Sequence, residues 1–404
     1  MTLWKKRLLI LLILVLLSQI PFAYRRYKLG QLHAAIQQLN AQRVATRADD
    51  GLAEFKGVVH VHSFLGGHSA GNFEEIITAA ESNQLSFVVM TEHPAKNFNT
   101  AEMTLKGEHG GVLFINGNEV RTVVGDRLLL IPGDEQAGSD SQRSTQEVLS
   151  RRASGLALVA YPEEFKSWEA TGYKGIEVYN VYTNARRINP VVMFFDALWS
   201  YGSYPDLLFA NFYQKPAESL KKWDELISQK GKKVVVTAGN DSHANVGISL
   251  NDSSGKTLLG FKLDPYERSF RLVRLHVLVT PFHGPLLDET SLLAAIAEGH
   301  SFIGFDLFGD TTGFRFTAHD GNENRIMGDE IKLKNQVTLN VSVPVPARVV
   351  LLKDGLQVQE ADGVKGLDFV AKEKASYRVE VYLSQLPKPA GDQPWIISNP
   401  IYVK

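Results

Sequence analysis

The chain has 404 residues, of which 44% are hydrophobic, so it is long enough for more than one domain and can bury a large core. Its 43 lysines and arginines nearly balance its 44 aspartates and glutamates, so the basic excess of a nonspecific nucleic-acid-binding protein is absent. Cysteine is also absent, which excludes disulfides and thiolate metal ligands and is compatible with an exported protein.

The N-terminus carries a membrane or export signal. A basic start precedes ten consecutive apolar residues, Leu8–Leu17, and no further charge occurs before Arg25. A cut after Ala23 would place Pro21 where a signal peptidase needs a small residue. Residues 1–28 therefore predict an uncleaved signal anchor, with the rest of the chain outside the cytoplasm, in a periplasmic or extracellular space. A signal peptide that is cleaved to secrete the protein is the alternative.

Residues 29–50 follow as an amphipathic stretch. Apolar residues recur there at steps of three and four, at Leu29, Leu32, Ile36 and Leu39. This period predicts a stalk helix with one apolar face. We expect that face to pack on the body of the protein, and packing on a second copy of the chain is the alternative.

Short apolar runs rich in Val, Ile, Leu and Phe recur along the middle of the chain and are typical of buried strands. They lie around Phe87–Met90, Val112–Ile115, Leu128–Ile131, Leu156–Ala160, Ile176–Tyr179 and Val234–Thr237. Helical patterns occur between them, and Asn72 with Glu75 predicts a capping box. The rhythm predicts an α/β fold. Residues 182–233 form an aromatic-rich insertion, interpreted either as additional core or as a lid over an active site.

Residues that can bind metal follow the apolar runs, where the C-terminal ends of parallel strands share one mouth. They are His60, His62, His93, Glu119, Asp241 and His243. A spacing of two predicts that His60 and His62 lie on one face of a strand, and Asp241 and His243 repeat that spacing. Imidazole and carboxylate suit divalent zinc, manganese or iron, so the pattern predicts a hydrolytic metal site. The remaining histidines lack this context and are expected to be structural or solvated: His33, His109, His276, His283, His300 and His319.

Five motifs in order, HVHS, TEH, GNEV, GIEVYN and GNDSH, resemble those of the PHP (polymerase and histidinol phosphatase) metallohydrolases over roughly residues 55–325. The resemblance implies a distorted (β/α)7 barrel, here at residues 51–327, with up to three ions of zinc, iron or manganese. It also implies how the residues are shared among the ions. The first ion would be held by His60, His62, Glu119 and Asp241, the second would be bridged by Glu119, and the third would involve His93 and His243.

Two positions depart from the family pattern. Ala70 stands where members commonly have an aspartate, and Tyr161 where they have a histidine. Each departure removes a ligand from a secondary ion, so we expect one or two ions per chain. His68 could replace the lost carboxylate or be an ordinary loop histidine. Tyr161 could ligate a metal, although shaping the pocket is the favoured role.

Residues 328–404 change pattern. Alternating apolar residues on either side of a predicted hairpin turn, Asp354-Gly355, indicate a small all-β sandwich. The turn at Met327–Glu330 and the final segment, Pro394–Val403, resemble the CehA/McbA branch of PHP proteins, which includes carbamate and amide hydrolases.

The sequence thus predicts a metal-dependent hydrolase of a small-molecule substrate, tethered to a membrane by its N-terminal helix. A phosphoester is the favoured substrate. The alternatives are a carbamate, amide or ester, and a degenerate barrel that binds metal or ligand without turnover. His243 or His93, if freed from a missing metal, could act as general acid to the leaving group. Arg186 and Arg187 could meet an anionic substrate or be the solvated start of a helix.

Overall fold

A computed structural model describes residues 2–43, 50–152, 154–186, 188–245, 247–251, 257–280 and 287–404. Arg187 and His283 lie outside the described residues. The described α-helices are α1 Leu3–Ala41, α2 Phe73–Ser82, α3 Thr100–Met103, α4 Ala137–Asp140, α5 Thr145–Ser150, α6 Val181–Ala185, α7 Pro190–Ser200, α8 Ala217–Ser228, α9 Tyr266–Leu272 and α10 Glu289–Glu298. The described strands are β1 Ala53–Val61, β2 Phe87–Met90, β3 Gly107–His109, β4 Val112–Ile115, β5 Asn118–Arg121, β6 Arg127–Ile131, β7 Leu156–Ala160, β8 Gly175–Asn180, β9 Val235–Gly239, β10 Gly247–Asn251, β11 Thr257–Lys262, β12 Arg274–Val279, β13 Ser301–Gly304, β14 Arg315–His319, β15 Asn324–Ile326, β16 Glu330–Ile331, β17 Val337–Lys353, β18 Leu356–Ala371, β19 Ala375–Tyr382, β20 Pro394–Ser398 and β21 Ile401–Val403.

The predicted anchor and stalk form one continuous helix, α1, which is long and apolar enough to cross a membrane. The apolar side chains of its first half are exposed, as expected of a segment that would be covered by lipid. In its second half, the predicted apolar face is buried in the main hydrophobic core, through Leu29, Leu32, Ile36 and Leu39. The stalk therefore packs on the body of its own chain.

Two sheets carry the middle of the chain. In the first, β1, β2 and β4 are parallel neighbours, and β12 pairs antiparallel with β1. In the second, β5 to β9 lie in sequence order, with β6 antiparallel to both of its neighbours. The apolar runs predicted as strands are all strands here, and they are almost wholly buried. The mixed α/β class is therefore confirmed, whereas the (β/α)7 barrel stays a prediction.

The two sheets meet where their strands end. The amide of Asn240, just after β9, donates to Val59 in β1 (2.9 Å), and His62 donates to Ser242 (3.1 Å). On the other side, Glu119 at the start of β5 donates to the carbonyl of Thr91, after β2 (3.2 Å). These hydrogen bonds bring the ends of β1, β2 and β9 and the start of β5 to one place, which is where the candidate ligands lie.

Helix α2 begins where side chains cap it. Asn72 accepts a hydrogen bond from the amide of Glu75 (2.9 Å), and the Glu75 carboxylate accepts one from the amide of Asn72 (3.4 Å). The capping box predicted for α2 is thus confirmed.

The C-terminal strands continue the first sheet. β17 and β18 form the predicted hairpin, and its turn residues, Asp354 (φ 49°) and Gly355 (φ 82°), both have positive φ, as a two-residue hairpin turn requires. β20 pairs with β13, and β17 pairs with β14. Because these pairings join residues on both sides of position 328, the separate sandwich at 328–404 stays a prediction.

Candidate metal centre

Six predicted residues come together at the meeting point of the two sheets. His60, His62, Glu119 and Asp241 form one group whose ligand atoms all lie within 4.8 Å of one another, and His62, His93 and His243 form a second. In the first group, Nε2 of His60 lies 3.2 Å from Glu119 and 3.5 Å from Asp241. Nε2 of His62 lies 3.4 Å from both carboxylates. His60 and Asp241, which are 181 positions apart in the sequence, thus belong to one group of ligand atoms.

The second group is built by ring stacking. The ring of His62 stacks against those of His93 and His243, with centroid distances of 4.6 Å and 4.3 Å, and the rings of His93 and His243 lie 6.3 Å apart. Nδ1 of His243 is 2.9 Å from the backbone carbonyl of Asp241, so a proton on Nδ1 would be donated to that oxygen. His93 and His243 are partly exposed, whereas the first group is buried. The two groups therefore share His62 and differ in access to solvent.

The backbone reaches this geometry through strained residues rather than regular strands. His60 (φ 69°), Tyr161 (φ 51°) and Asp241 (φ 47°) all occupy the left-handed region, which residues other than glycine rarely adopt. At His60 the pairing of β1 with β2 shifts register between Val59 and Val61. The expectation that simple strand alternation brings His60 and His62 together is wrong in this respect, because a bulge at His60 re-aims the side chain.

Several buried atoms of the centre have no protein partner. Three buried atoms make no hydrogen bond within the described part of the chain: both ring nitrogens of His62, and Oδ1 of Asp241. Unpaired buried polar atoms are costly and need an explanation. A divalent ion among these nitrogen and oxygen atoms would satisfy them, and the ligand set is one that zinc, manganese and iron accept. The residues present therefore fit a metal ion.

The charges of the first group favour the ligand forms of His62 and Asp241 and the protonated form of His60. Burial lowers the pKa of His62 to about 3, so its ring is neutral at pH 7. Burial acts to raise the pKa of Asp241, but the neighbouring histidines, His60 first, hold it well below its usual range. For His60, burial is outweighed by Glu177, Asp241 and Glu119, which raise its pKa well above the usual value. His60 would therefore release a proton when a metal binds.

The sequence motifs contain a partner of the centre that was not singled out as a site residue, Glu177 in β8. Its Oε2 lies 2.7 Å from Nδ1 of His60, and its Oε1 accepts a hydrogen bond from Asn180 (2.7 Å). A carboxylate on the far nitrogen of a histidine ligand orients the ring. Gly239 leaves room for it, since a Cβ there would lie 2.0 Å from Oε2 of Glu177. The sequence held a signal for this role, because a carboxylate within a buried apolar run such as GIEVYN needs a partner.

The two departure positions, Ala70 and Tyr161, and the possible replacement ligand His68 have separate surroundings. Tyr161 donates a hydrogen bond from its hydroxyl to Asp241 (2.5 Å), and its ring packs under Arg127, which supports the pocket-shaping role. The ring of His68 lies 5.1 Å from that of His93, but His68 is outside all three metal-competent groups found among the described residues. The amide of Ala70 donates to the side chain of Asn245 (2.8 Å).

The centre opens into a cavity of about 590 Å³. Arg121, Arg127 and Arg186 line it beside the candidate ligands, and Arg127 donates to Glu119 (2.9 Å). The first two were not predicted. Three guanidinium groups around a cluster of carboxylates and imidazoles give the mouth donors suited to an anionic group.

No model of a known protein family matches the chain, and no curated protein matches it. The solved structures that are similar to it include the following two. One is a crystal structure of a two-domain protein from Bacteroides vulgatus that contains a predicted PHP-like metal-dependent phosphoesterase. It shares 12% identity and a TM-score of 0.40, covering 89% of this chain and 98% of that one. The other is PsfC from Pseudomonas syringae, with 12% identity and a TM-score of 0.35, covering 62% of this chain and 91% of that one. Both TM-scores lie below 0.5, so neither likeness assigns the chain to a family.

Proposed function

We propose that the protein is a metal-dependent phosphoesterase of the PHP type. The observation that carries this proposal is the first metal-competent group, in which His60, His62, Glu119 and Asp241 converge with unpaired buried ligand atoms. The motif order of the chain supports the PHP assignment and, with it, a barrel-like arrangement of the strands around the centre. One or two ions would be held, the first by these four residues and a second by His62, His93 and His243 in part.

Each group of the chain has a role in this proposal. A divalent ion bound there would supply a nucleophile at neutral pH, by acidifying a water, and would polarise the scissile bond. Arg127 and Arg186 would bind the negative charge of the substrate phosphate. His243 keeps Nδ1 against the carbonyl of Asp241, so where no second ion occupies its Nε2, a proton held there would pass to the leaving oxygen. Glu177 holds the ring of His60 in place.

Phosphate is the favoured substrate group because arginines line the mouth of the metal centre. A phosphoester carries a negative charge at pH 7, whereas a carbamate or amide is neutral. Arg121, Arg127 and Arg186 line the cavity into which the centre opens, so they would stabilise the charged substrate and contribute little to a neutral one.

The function can be tested by hydrolysis with metal-loaded, full-length protein. Aryl phosphates, nucleotides, aryl carbamates and anilides would be assayed alongside His60→Ala and Asp241→Ala. Because both residues belong to the first group, we expect either change to strip the ion and to lower phosphoester hydrolysis by several orders of magnitude. Asn245→Ala, which alters a residue lining the same cavity outside both groups, is the matched control for folding and metal content.

Three other outcomes would contradict the proposal. Turnover of carbamates or anilides in place of phosphates would identify the CehA/McbA-like alternative. Activity that persists in both variants would show that the centre is assigned to the wrong residues. Full metal binding without turnover of any substrate class would identify a binding module.

We also propose that α1 anchors the protein with its body outside the cytoplasm. Contacts of the helix with the body begin near Gln19 and Arg25, before the end of the predicted signal segment, which supports retention of the whole helix. Alkaline phosphatase folds only in an oxidising compartment, so its fusion after residue 50 should be active, and a cytoplasmic fluorescent reporter fused there should be dark. The reverse pattern would place the body in the cytoplasm.

A further inference from the structure

We propose that the substrate is a lipid-borne phosphoester, whose phosphate lies at the metal centre while its alkyl chain lies in an adjoining apolar cavity. The proposal deepens the proposed function and rests on it. It is carried by the cavity, by its connection to the centre, and by the position of both beside the membrane-length helix α1.

The apolar cavity lies between α6, α7 and the 3-10 helix Asp206–Asn211, and has a volume of about 450 Å³. This is within the range of small-molecule sites, about 300–1,000 Å³. Its walls are mainly apolar, and include Val192, Met193, Leu208, Phe209 and Phe212. A chain of methylene groups would be drawn into such a space by the hydrophobic effect.

The apolar cavity adjoins the mouth of the metal centre. Tyr182, Arg186, Asp241 and Asp264 line both cavities. Arg186 therefore stands at the junction, with the metal-competent carboxylate of Asp241 beside it. A ligand that fills both spaces would place an anionic group between the ion of the centre and the arginines of its mouth, Arg186 among them, and an apolar part several methylenes long in the cavity behind. This is the chemistry of an alkyl or acyl phosphoester.

Helix α7 is apolar on two opposite faces. Its inner face lines the apolar cavity, through Val192, Met193 and Ala197. Its outer face presents three apolar side chains to solvent, with these exposed fractions: Val191 (63%), Phe194 (56%) and Leu198 (68%). A short helix that is apolar on both faces is unusual at a water-exposed surface, and suits one that lies partly in a membrane interface.

α7 is fixed to α1 at the level where the apolar span ends. Trp199 donates to the side chain of Gln19 (3.0 Å), and Arg25 forms a two-point ion pair with Asp196 (2.6 and 2.7 Å). Tryptophan and arginine at the end of an apolar run mark a membrane–water interface. If the uncharged segment 8–24 spans the bilayer, Gln19 and Arg25 lie near its end, so the outer face of α7 contacts lipid and the inner face leads to the centre.

A direct test uses photo-crosslinking, which does not depend on turnover. The probe is a phosphonate analogue of a phospholipid with a diazirine in its alkyl chain, added to the full chain in nanodiscs. We expect crosslinks on cavity residues of α6 and α7, and at least a fivefold loss of these crosslinks in Ala197→Phe, which fills the cavity. Met193→Glu, which places a charge in the cavity wall, should act in the same direction. Ala217→Phe, at the exposed start of α8, is the matched control.

A second readout measures hydrolysis of butyl, octyl and dodecyl phosphates below their micellar concentrations. We expect kcat/KM to rise with chain length, by up to about fourfold for each methylene that becomes buried. The ratio of dodecyl to butyl phosphate should fall toward one in Ala197→Phe and in Met193→Glu, and stay at the wild-type value in Ala217→Phe. Metal content and the thermal midpoint of each variant show that it is folded.

The outcomes separate this inference from the proposed function. Crosslinks confined to α1 and the outer face of α7, or short phosphates hydrolysed as well as long ones, would overturn the lipid substrate and leave the phosphoesterase standing. Cavity crosslinks without hydrolysis of any phosphate would support lipid binding and overturn the phosphoesterase.

Discussion

Backbone strain is concentrated in the residues that surround the metal centre. His60, Tyr161 and Asp241 each hold a positive φ at a cost of order 1 kcal/mol or more, which the surrounding hydrogen bonds must offset. Tyr161 and Asp241 are joined directly by a hydrogen bond, and His60 is held between Glu177 and Glu119. The strain fixes the direction of each side chain before any ligand arrives, so the centre is preorganised.

Glu177 should act as a positioning residue for His60. Replacing it by glutamine keeps the shape but removes the charge that favours the required ring orientation. We expect Glu177→Gln to lower metal affinity by about 10- to 100-fold, the usual effect of losing such a partner. Metal titration monitored by calorimetry would measure it. Glu164→Gln, on the rim of the same cavity, is the control, and equal affinities in wild type and Glu177→Gln would contradict the role.

Among the elements, α1 has two halves with different tasks. The first half, which includes the exposed run Leu8–Leu17, has the length and composition of a membrane span. The second half is part of the main core, and the side chain of Leu39 approaches Gly309 near Trp395. The helix thus couples the proposed anchor rigidly to the body, and the position of the metal centre relative to the membrane is set by packing and not by a flexible linker.

This packing makes a prediction about stability. Leu39 is 2% exposed, so Leu39→Ala removes three buried carbon atoms and leaves a cavity, at a cost of about 2–5 kcal/mol. We expect the thermal unfolding midpoint of the full-length protein to fall by several degrees, measured by circular dichroism in nanodiscs. Gln38→Ala, on the exposed side of the same turn, should stay within about 0.5 kcal/mol of wild type. Similar midpoints for the two variants would show that the second half of α1 is not docked.

At the scale of the whole molecule, a buried ion network joins strands β1, β12 and β14. His276 in β12 lies 2.9 Å from Glu54 in β1 and 3.4 Å from Asp306, after β13. Arg315 in β14 pairs with Glu54 (2.6 Å), and Arg274 pairs with Asp306 (3.2 Å). His276, Asp306 and Asp310 could geometrically hold a metal ion. His276 and Asp306 already have protein partners in the network, so we interpret this group as structural.

The network predicts a pH dependence of stability. Burial acts to lower the pKa of His276, but Asp306 and Glu54 outweigh it and raise the pKa from 6.5 to about 9. Because the folded state binds the proton more tightly, the stabilisation is complete below pH 6.5 and is lost as the pH rises through 9. The difference is on the order of 3 kcal/mol. Urea unfolding at pH 6.5 and pH 9 should show this fall in the free energy of unfolding of the wild type, and a smaller fall in His276→Gln. Equal falls in the two proteins would assign the pH dependence to other groups.

The local sequence determined the secondary structure and the identity of the clustered residues. Strand-length apolar runs, the capping box at Asn72 and the turn at Asp354-Gly355 all depend on near neighbours, so pattern and propensity suffice to predict them. The polar residues at the ends of these runs were predicted to meet, and His60, His62, Glu119 and Asp241 do meet.

The tertiary structure alone decided how they meet. The bulge at His60 and the contact of Glu177 with it depend on strands that lie far apart in the sequence, and no local period encodes their register. The arginines of the mouth and the apolar cavity behind it arise from the docking of separate loops and helices. Which strand ends carry chemistry is a local property of the chain, whereas the shape of the space between them is a product of long-range packing, because only the folded backbone brings those segments together.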